Sequence, residues 1–272
     1  MRSLPAGAKL NLALVVGPRR AGGKHEVATV LQTIALADSV SLGPGSGLLV
    51  TGFPDDTLVT RALRRLAEAA GSAPAWLAHV EKRIPVAAGL GGGSSDAAAA
   101  LRLANETLDL PVSNDELRVL AAELGADVPF FLVSGPQLGL GDGSELTPLD
   151  VPQDYAIVLV LPHGAEKRST ASVYEGFDAR GAERGFEERR ANLLAALGSV
   201  RFPRDLAALP PNDLASSPVA GELLALGAFR ADVTGAGPAV YGLFEEAESA
   251  TTAARVLERQ GQTWLTAPAW YG

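Results

Sequence analysis

Apolar positions along this chain recur with two periods, and the change from one to the other divides it into strands and helices. Lys9 to Val16 reads as a strand, and Val27 to Leu42 as a strand-rich stretch. From Trp76 to Ile84 the pattern alternates: Trp76, Ala78, Val80 and Ile84 share one face, and His79, Glu81 and Arg83 the other. Lys82 breaks the alternation by falling on the apolar face. The period lengthens between Asp56 and Ala70, where Leu63, Leu66 and Ala70 line one side of a predicted helix that Gly71 stops. An alanine-rich run predicts a helix from about Ser95 to Thr107. Ser113-Asn-Asp-Glu116 is a capping box that opens a helix to Leu124, with Gly125 behind it. Asp142-Gly143 predicts a tight turn within a β region.

A Pro-containing stretch from Thr147 to Asp154 marks the expected domain boundary, giving residues 1–150 and 151–272. Tyr155 to Leu161 is continuously apolar, the pattern of a strand central in its sheet. Residues 164–190 read as a charged loop and then a helix. Ser217-Pro218 opens a helix that ends at Gly227. A strand from Phe229 to Val233, a glycine turn, a strand from Val240 to Phe244, a helix from Ala247 to Gln260 and a strand from Thr263 to Thr266 complete the pattern. Strands and helices do not alternate strictly. The expected class is therefore α+β, with helices on one face of antiparallel sheets.

Composition narrows the function. The chain has 272 residues, 47% hydrophobic and 20% charged, the balance of a soluble globular protein. A net charge of −8 argues against a nucleic-acid binder, yet leaves room for a locally basic site that takes an anionic small molecule. With no cysteine, disulfides and thiolate zinc sites are ruled out. The longest apolar strip, Ala156 to Leu161, is far too short to span a bilayer, and the N-terminus lacks signal-peptide organisation. A cytoplasmic protein without membrane or nucleic-acid partners is expected.

One string stands apart. Pro85-Val86-Ala87-Ala88-Gly89-Leu90-Gly91-Gly92-Gly93-Ser94-Ser95-Asp96 lies between a strand and a helix. Its glycines remove side chains, so backbone N–H groups can approach an anion closely. Ser94 and Ser95 are suited to cap the helix and to offer hydroxyls to a phosphate or a metal. The helix N-terminus adds unpaired N–H groups and the positive end of a dipole. Asp96 reads as a first-turn charge. The string is neither a Walker A loop, because no Gly-Lys-Ser/Thr follows, nor a Rossmann loop. A flexible linker is the plainer reading, but so many glycines would be wasteful there.

This string resembles the second motif of the GHMP kinases. Ala8-Lys-Leu-Asn-Leu12 resembles the first motif of that family, Leu124-Gly-Ala-Asp-Val-Pro-Phe-Phe131 its acidic segment, and Val233-Thr-Gly-Ala-Gly-Pro-Ala-Val-Tyr-Gly-Leu-Phe244 its third motif. All four occur in the family's order across nearly the whole chain. Lys-Leu-Asn-Leu, Gly-Ala-Asp-Val-Pro and Lys82-Arg-Ile-Pro85 are most similar to the branch that acts on a cytidine diphosphate-linked methylerythritol. Homoserine and mevalonate kinases, or a non-catalytic nucleotide-binding regulator of this fold, are the alternatives. The resemblance implies a ribosomal-protein-S5-domain-2-like N-terminal ATP-binding domain and a ferredoxin-like C-terminal substrate domain, with ATP and substrate between them. It also implies ATP, magnesium and phosphorylation of the substrate's 2-hydroxyl. A monomer or weak homodimer is expected.

The resemblance assigns roles to particular residues. Phosphoryl transfer needs positioned phosphates, a neutralising cation and a group that orients the attacking hydroxyl. Asp127 is the candidate for the last task; an N-cap before Pro129 is its other reading. Lys9 is the candidate partner, with a solvated strand-start lysine as the alternative. Residues 85–95 are the candidate ATP site. Asn11, two residues beyond Lys9 on the same face, is a candidate substrate contact, as are Thr234, Gly235 and Gly237 of the third motif, whose glycines also suit a plain hairpin turn. Lys82 needs a phosphate or carboxylate partner if it is buried, or else reaches the edge. His25 matches a base-reading histidine. The preceding residues are Gly22-Gly23-Lys24, however, where the family usually shows Asp-Gly-Tyr. Tyr174 matches an aromatic on the base's other side, or packs in the core. His79 and His163 are expected to be structural or exposed. No His and carboxylate spacing suggests a metal site held by the protein alone.

Overall fold

The longest strand organises the first half of the chain. In a computed structural model, which describes residues 1–53, 57–165 and 169–269, β2 (His25–Pro44) pairs along one side with β1 (Arg2–Arg19) in an antiparallel ladder. Its other side is shared end to end by β4 (Trp76–Glu81) and the hairpin of β5 (Gln137–Leu140) and β6 (Glu145–Pro148), while β3 (Leu49–Thr51) runs parallel to β4. The hairpin carries the turn expected at Asp142-Gly143. Both long strands exceed the expected segments: pairing runs from Arg2 to Arg19 in β1 and from His25 to Leu42 in β2. Strand β4 stops at Glu81, so Lys82 leaves the strand and does not continue its apolar face.

Three helices cover one face of this sheet. They are α1 (Thr57–Ala69), α2 (Gly92–Asn105) and α3 (Asn114–Leu124). Their apolar stripes, including Val59, Leu63 and Leu66, Ala97, Leu101 and Ala104, and Leu117 and Leu120, pack on Ala6, Val40, Leu42, Ala78 and Val80 of the sheet. The Asp56 start expected for α1 lies outside the described residues. Ser113 caps α3, and Glu116 completes the expected capping box. Helix α2 begins three residues before the expected Ser95. Gly91 precedes it in the left-handed region (φ 70°) and no side chain caps it, so Ser94 and Ser95 sit inside the helix instead of capping it.

The second sheet is built from β7 (Ala156–Pro162), β8 (Arg230–Val233), β9 (Val240–Phe244) and β10 (Gly261–Thr266), all antiparallel in the order β10-β7-β9-β8. With α4 (Thr170–Ala179), α5 (Phe186–Ser199) and α6 (Pro218–Ala225) between β7 and β8, and α7 (Ala247–Leu257) before β10, this is the βαββαβ ferredoxin-like arrangement. Part of the expected loop, residues 166–168, lies outside the described residues. Strand β7 is interior and covered on both faces, which accounts for its unbroken apolar run. Ile157 and Leu159 join a core with Leu10, Leu12, Val15, Val30 and Ile34 of the first sheet. Val158 and Val160 face Leu223 of α6 and Ala253 and Leu257 of α7. The first of these cores is continuous between the two sheets, so their relative placement is fixed by shared apolar burial.

Candidate functional site

The β1–β2 ladder is irregular where its polar residues lie. Register shifts fall between Gly7 and Lys9 and between Asn11 and Ala13, and such bulges re-aim side chains. Lys9 and Asn11 are both buried yet line the main cleft. Lys9 Nζ donates to Asn11 Oδ1 at 2.5 Å and lies 3.8 Å from Asp127 Oδ2. Asn11 Nδ2 donates to the Thr29 hydroxyl (2.8 Å), which donates onward to the Ala13 carbonyl. Burial pushes the Lys9 ammonium below its ordinary value, and the Asp127 charge only partly opposes this. Asp127 stands in the turn before a short 3₁₀ helix (Pro129–Leu132) whose preceding residue is Val128. Asp127 is therefore not its N-cap, and its carboxylate, 44% exposed, looks into the cleft. A lysine drawn up against an open carboxylate suits proton removal from, or orientation of, a bound hydroxyl.

Residues 85–94 all line the same cleft. The three-residue earlier start of α2 places Gly92, Gly93 and Ser94 in its first turn, so the unpaired N–H groups of that turn carry almost no side-chain cover. Ser95 does not line the cleft: it is buried on the other side, beside Thr33 and Phe131. The loop is locked from behind by the third motif. A Cβ on Gly237 would lie 2.1 Å from the carbonyl carbon of Ala88, and one on Gly89 (φ 84°) would lie 2.2 Å from the Thr234 carbonyl oxygen. Ala239 N donates to the Ala88 carbonyl. Gly235 and Gly237 line the cleft, but Thr234 does not. Its side chain is fully buried and its hydroxyl accepts from Asn11 N at 3.0 Å. A residue not singled out in the sequence, Asn212, holds this turn by donating from Nδ2 to the Val233 and Gly235 carbonyls.

Lys82 takes up the carboxylate option. Its Nζ donates to Asp38 Oδ2 (2.5 Å) and Asp96 Oδ2 (2.6 Å), and neither carboxylate side chain has exposed surface. Asp96 is thus no first-turn charge; it lies in the second turn of α2, facing inward. Asp38, also missed, accepts from the backbone N–H groups of Arg83 and Ile84 and so fixes the approach to the glycine loop. Burial disfavours the Lys82 ammonium, but the two carboxylates outweigh it and raise its pKa. One donor of Lys82 remains for the cleft that it lines.

At the far end of the cleft stand Arg19, Lys24, His25, Val27, Asp142 and Tyr174. Tyr174 packs on the His25 ring with centroids 4.8 Å apart; burial, then the Asp127 charge, push its hydroxyl up to about 12. His25 Nδ1 donates to the Gly17 carbonyl (2.8 Å), and Nε2 faces Asp178 at 3.3 Å. Lys24 pairs with Asp142 (2.5 Å). His79 is exposed and bonded to Thr51, and His163 is exposed. Among the described residues no group of three His, Asp or Glu could hold a metal, and no helix is long and apolar enough to cross a membrane.

The cleft, about 970 Å³, therefore has a glycine loop at one end, Lys9 and Asp127 in the middle, and ionic and aromatic side chains at the other. Residues 57–135 match the family model of the GHMP kinases N terminal domain and residues 214–263 that of GHMP kinases C terminal. The chain is 37% identical over 282 residues to the 4-diphosphocytidyl-2-C-methyl-D-erythritol kinase of Geobacter sulfurreducens, covering 97% of both proteins. It is 39% identical over 287 residues to that of Solidesulfovibrio magneticus, covering 97% of this chain and 96% of that protein. A crystal structure of 4-(cytidine 5'-diphospho)-2C-methyl-D-erythritol kinase superposes with a TM-score of 0.80 at 34% identity, over 98% of this chain and all of the other. A mevalonate kinase structure reaches 0.78 at only 12% identity, which is a likeness of fold. Four motifs in order, the two-sheet architecture and similarity over nearly the whole length together place this chain in the 4-diphosphocytidyl-2-C-methyl-D-erythritol kinase family, a branch of the GHMP kinases.

Proposed function

We propose that this kinase transfers the γ-phosphoryl group of ATP to the 2-hydroxyl of 4-diphosphocytidyl-2-C-methyl-D-erythritol, in the cytoplasm, as a step of isoprenoid precursor synthesis. The observation that carries the reading is the Lys9–Asp127 pair, which lines one cleft together with the glycine loop and with His25 and Tyr174. Residues 85–94 hold the triphosphate through backbone N–H groups and the dipole of α2. Asp127 orients the substrate hydroxyl and takes its proton as the oxygen attacks the γ-phosphorus and the bond to the β-phosphate oxygen breaks. Lys9, 3.8 Å from Asp127, faces the charge that develops there. Asn11, held by Thr29 and Thr234, sets the position of Lys9 and has its amide near the substrate. Lys82 directs its remaining donor to a phosphate. Gly235 and Gly237 give the substrate close approach to the backbone, while His25 and Tyr174 form the wall of the base end.

Magnesium brought in with ATP would be held mainly by phosphate oxygens and water, with the Ser94 hydroxyl as the protein group that would reach it, and would neutralise phosphate charge; such a hard cation needs few protein ligands. We place the boundary between the ATP-binding and substrate portions at 150/151, with both lining the cleft, in a chain that works as a monomer or weak homodimer.

The test is ADP release by purified protein with magnesium–ATP and the cytidine substrate, beside homoserine and mevalonate. Turnover with the cytidine substrate alone is expected. Turnover of another alcohol, or none, would sink the reading while leaving the fold unaffected.

A further inference from the structure

His25 lines the cleft at the position from which a histidine would read a base, but its side chain is only 4% exposed. Nδ1 donates to the Gly17 carbonyl. Nε2 has less than 1 Å² of exposed surface and no hydrogen-bond partner among the described residues; it lies 3.3 Å from Asp178 Oδ1, whose carboxylate is held by Arg19 through bonds of 2.8 and 2.6 Å to Oδ2. Tyr174 covers one face of the ring and Phe177 meets it edge-on. Turning the imidazole outward would break these contacts together.

Lys24 and Asp142 line the same end of the cleft and are open to it, their side chains 53% and 21% exposed. Asp142 Oδ1 accepts from the Ser144 N–H and hydroxyl, and Oδ2 accepts from Lys24. A carboxylate offers about four acceptor sites and an ammonium three donors. The pair therefore still presents an acceptor beside free donors. Burial works against the Asp142 carboxylate, but the bonds from Lys24 and Ser144 outweigh it and hold its pKa at about 2, so it accepts throughout the working range. The edge of cytosine carries the complement, an amino donor beside ring acceptors. Uracil has a carbonyl where cytosine has the amino group, which would set two acceptors against each other.

We infer that in this chain the base edge is read by the Lys24–Asp142 pair, with His25 serving as fixed backing for Tyr174. The inference rests on the cytidine-substrate reading above. It also accounts for a lysine standing where the family usually shows a tyrosine: recognition has shifted from stacking to an ionic donor–acceptor pair.

The experiment is calorimetric measurement of Kd for CDP and UDP with the wild type, Asp142→Asn, Lys24→Met and His25→Gln. Asp142→Asn keeps an acceptor for Ser144. It is expected to lower the CDP/UDP preference about tenfold or more, the worth of a hydrogen bond to a charged group, and Lys24→Met is expected to lower it as well. The inference is overturned if both variants keep the wild-type preference, and loss of it in His25→Gln would then return base reading to the histidine. It is equally overturned if Lys24→Met weakens CDP and UDP alike, since Lys24 would then serve the phosphates. A wild type with no preference for CDP would instead overturn the cytidine-substrate reading, and the inference with it. If Asp142→Asn fails to fold, Lys24→Met alone decides.

Discussion

Replacing Lys82 with methionine would remove one positive charge from between two carboxylates that have no exposed surface. Their oxygens both bond to a single nitrogen and so lie within about 5 Å of each other, where two like charges repel by roughly 3 kcal/mol at an effective dielectric of about 20. Taking one partner from a buried ion group costs about 3–5 kcal/mol overall, because the remaining charges keep their desolvation cost without compensation. Against a total stability of about 5–15 kcal/mol this is a large fraction. Urea unfolding at pH 7 is the assay. Lys82→Met should lose about 3–5 kcal/mol, and adding Asp38→Asn should restore a substantial part of it. The amide side chain introduced by that second substitution would keep an oxygen for the Arg83 and Ile84 N–H groups while carrying no charge. A loss under about 1 kcal/mol, the level of an exposed pair, or no recovery in the double variant, would refute the view that this triad is a buried charge balance supporting the glycine loop.

Three other outcomes are expected. Gly237→Ala places a Cβ against the backbone of Ala88 and Gly89, so the two loops must part; the KM for ATP should rise, and stability should fall by about 1–3 kcal/mol, whereas wild-type values in both would show the interlock to be slack. Lys9 is held below the 10.5 of an ordinary lysine, so kcat/KM should fall on the alkaline side well before pH 10.5, and an alkaline limb at or above that value would contradict its burial. Lys82 shifts the other way: its raised pKa contributes stability that is fully present below the unfolded-state value of about 10.4 and is lost as pH rises through the higher folded value. Urea midpoints measured from pH 9 upward should show that loss in the wild type and not in Lys82→Met.

Short-range features were the ones legible in the sequence. The capping box at Ser113, the period-two face of β4 as far as Glu81 and the doubly covered β7 each depend on neighbours within a few residues, and each stands where the pattern predicts. The start of α2 is not legible because three glycines read as loop by propensity; two of them stand inside the first helical turn. Lys82 announced that it needed a partner. Asp38 lies 44 residues away, however, on a strand whose register only the assembled sheet specifies, and Asp96 looked like an ordinary helix-start charge. Ser95 and Thr234 carry the right chemistry, but the backbone turns both of them inward. His25 Nδ1 is held by Gly17, across the hairpin, and Nε2 is buried near Asp178, far along the chain, and no local signal reveals such surroundings.

The central claim is that the hydroxyl and the γ-phosphate meet at Asp127, and a single-turnover measurement on Asp127→Asn tests it most directly. With the variant in excess over the cytidine substrate and saturating magnesium–ATP, both ligands should bind with near wild-type Kd. Transfer itself should slow by about a hundredfold or more, the scale of losing a positioned acid–base group. Transfer within a few-fold of the wild-type rate, with both ligands bound, would contradict the account.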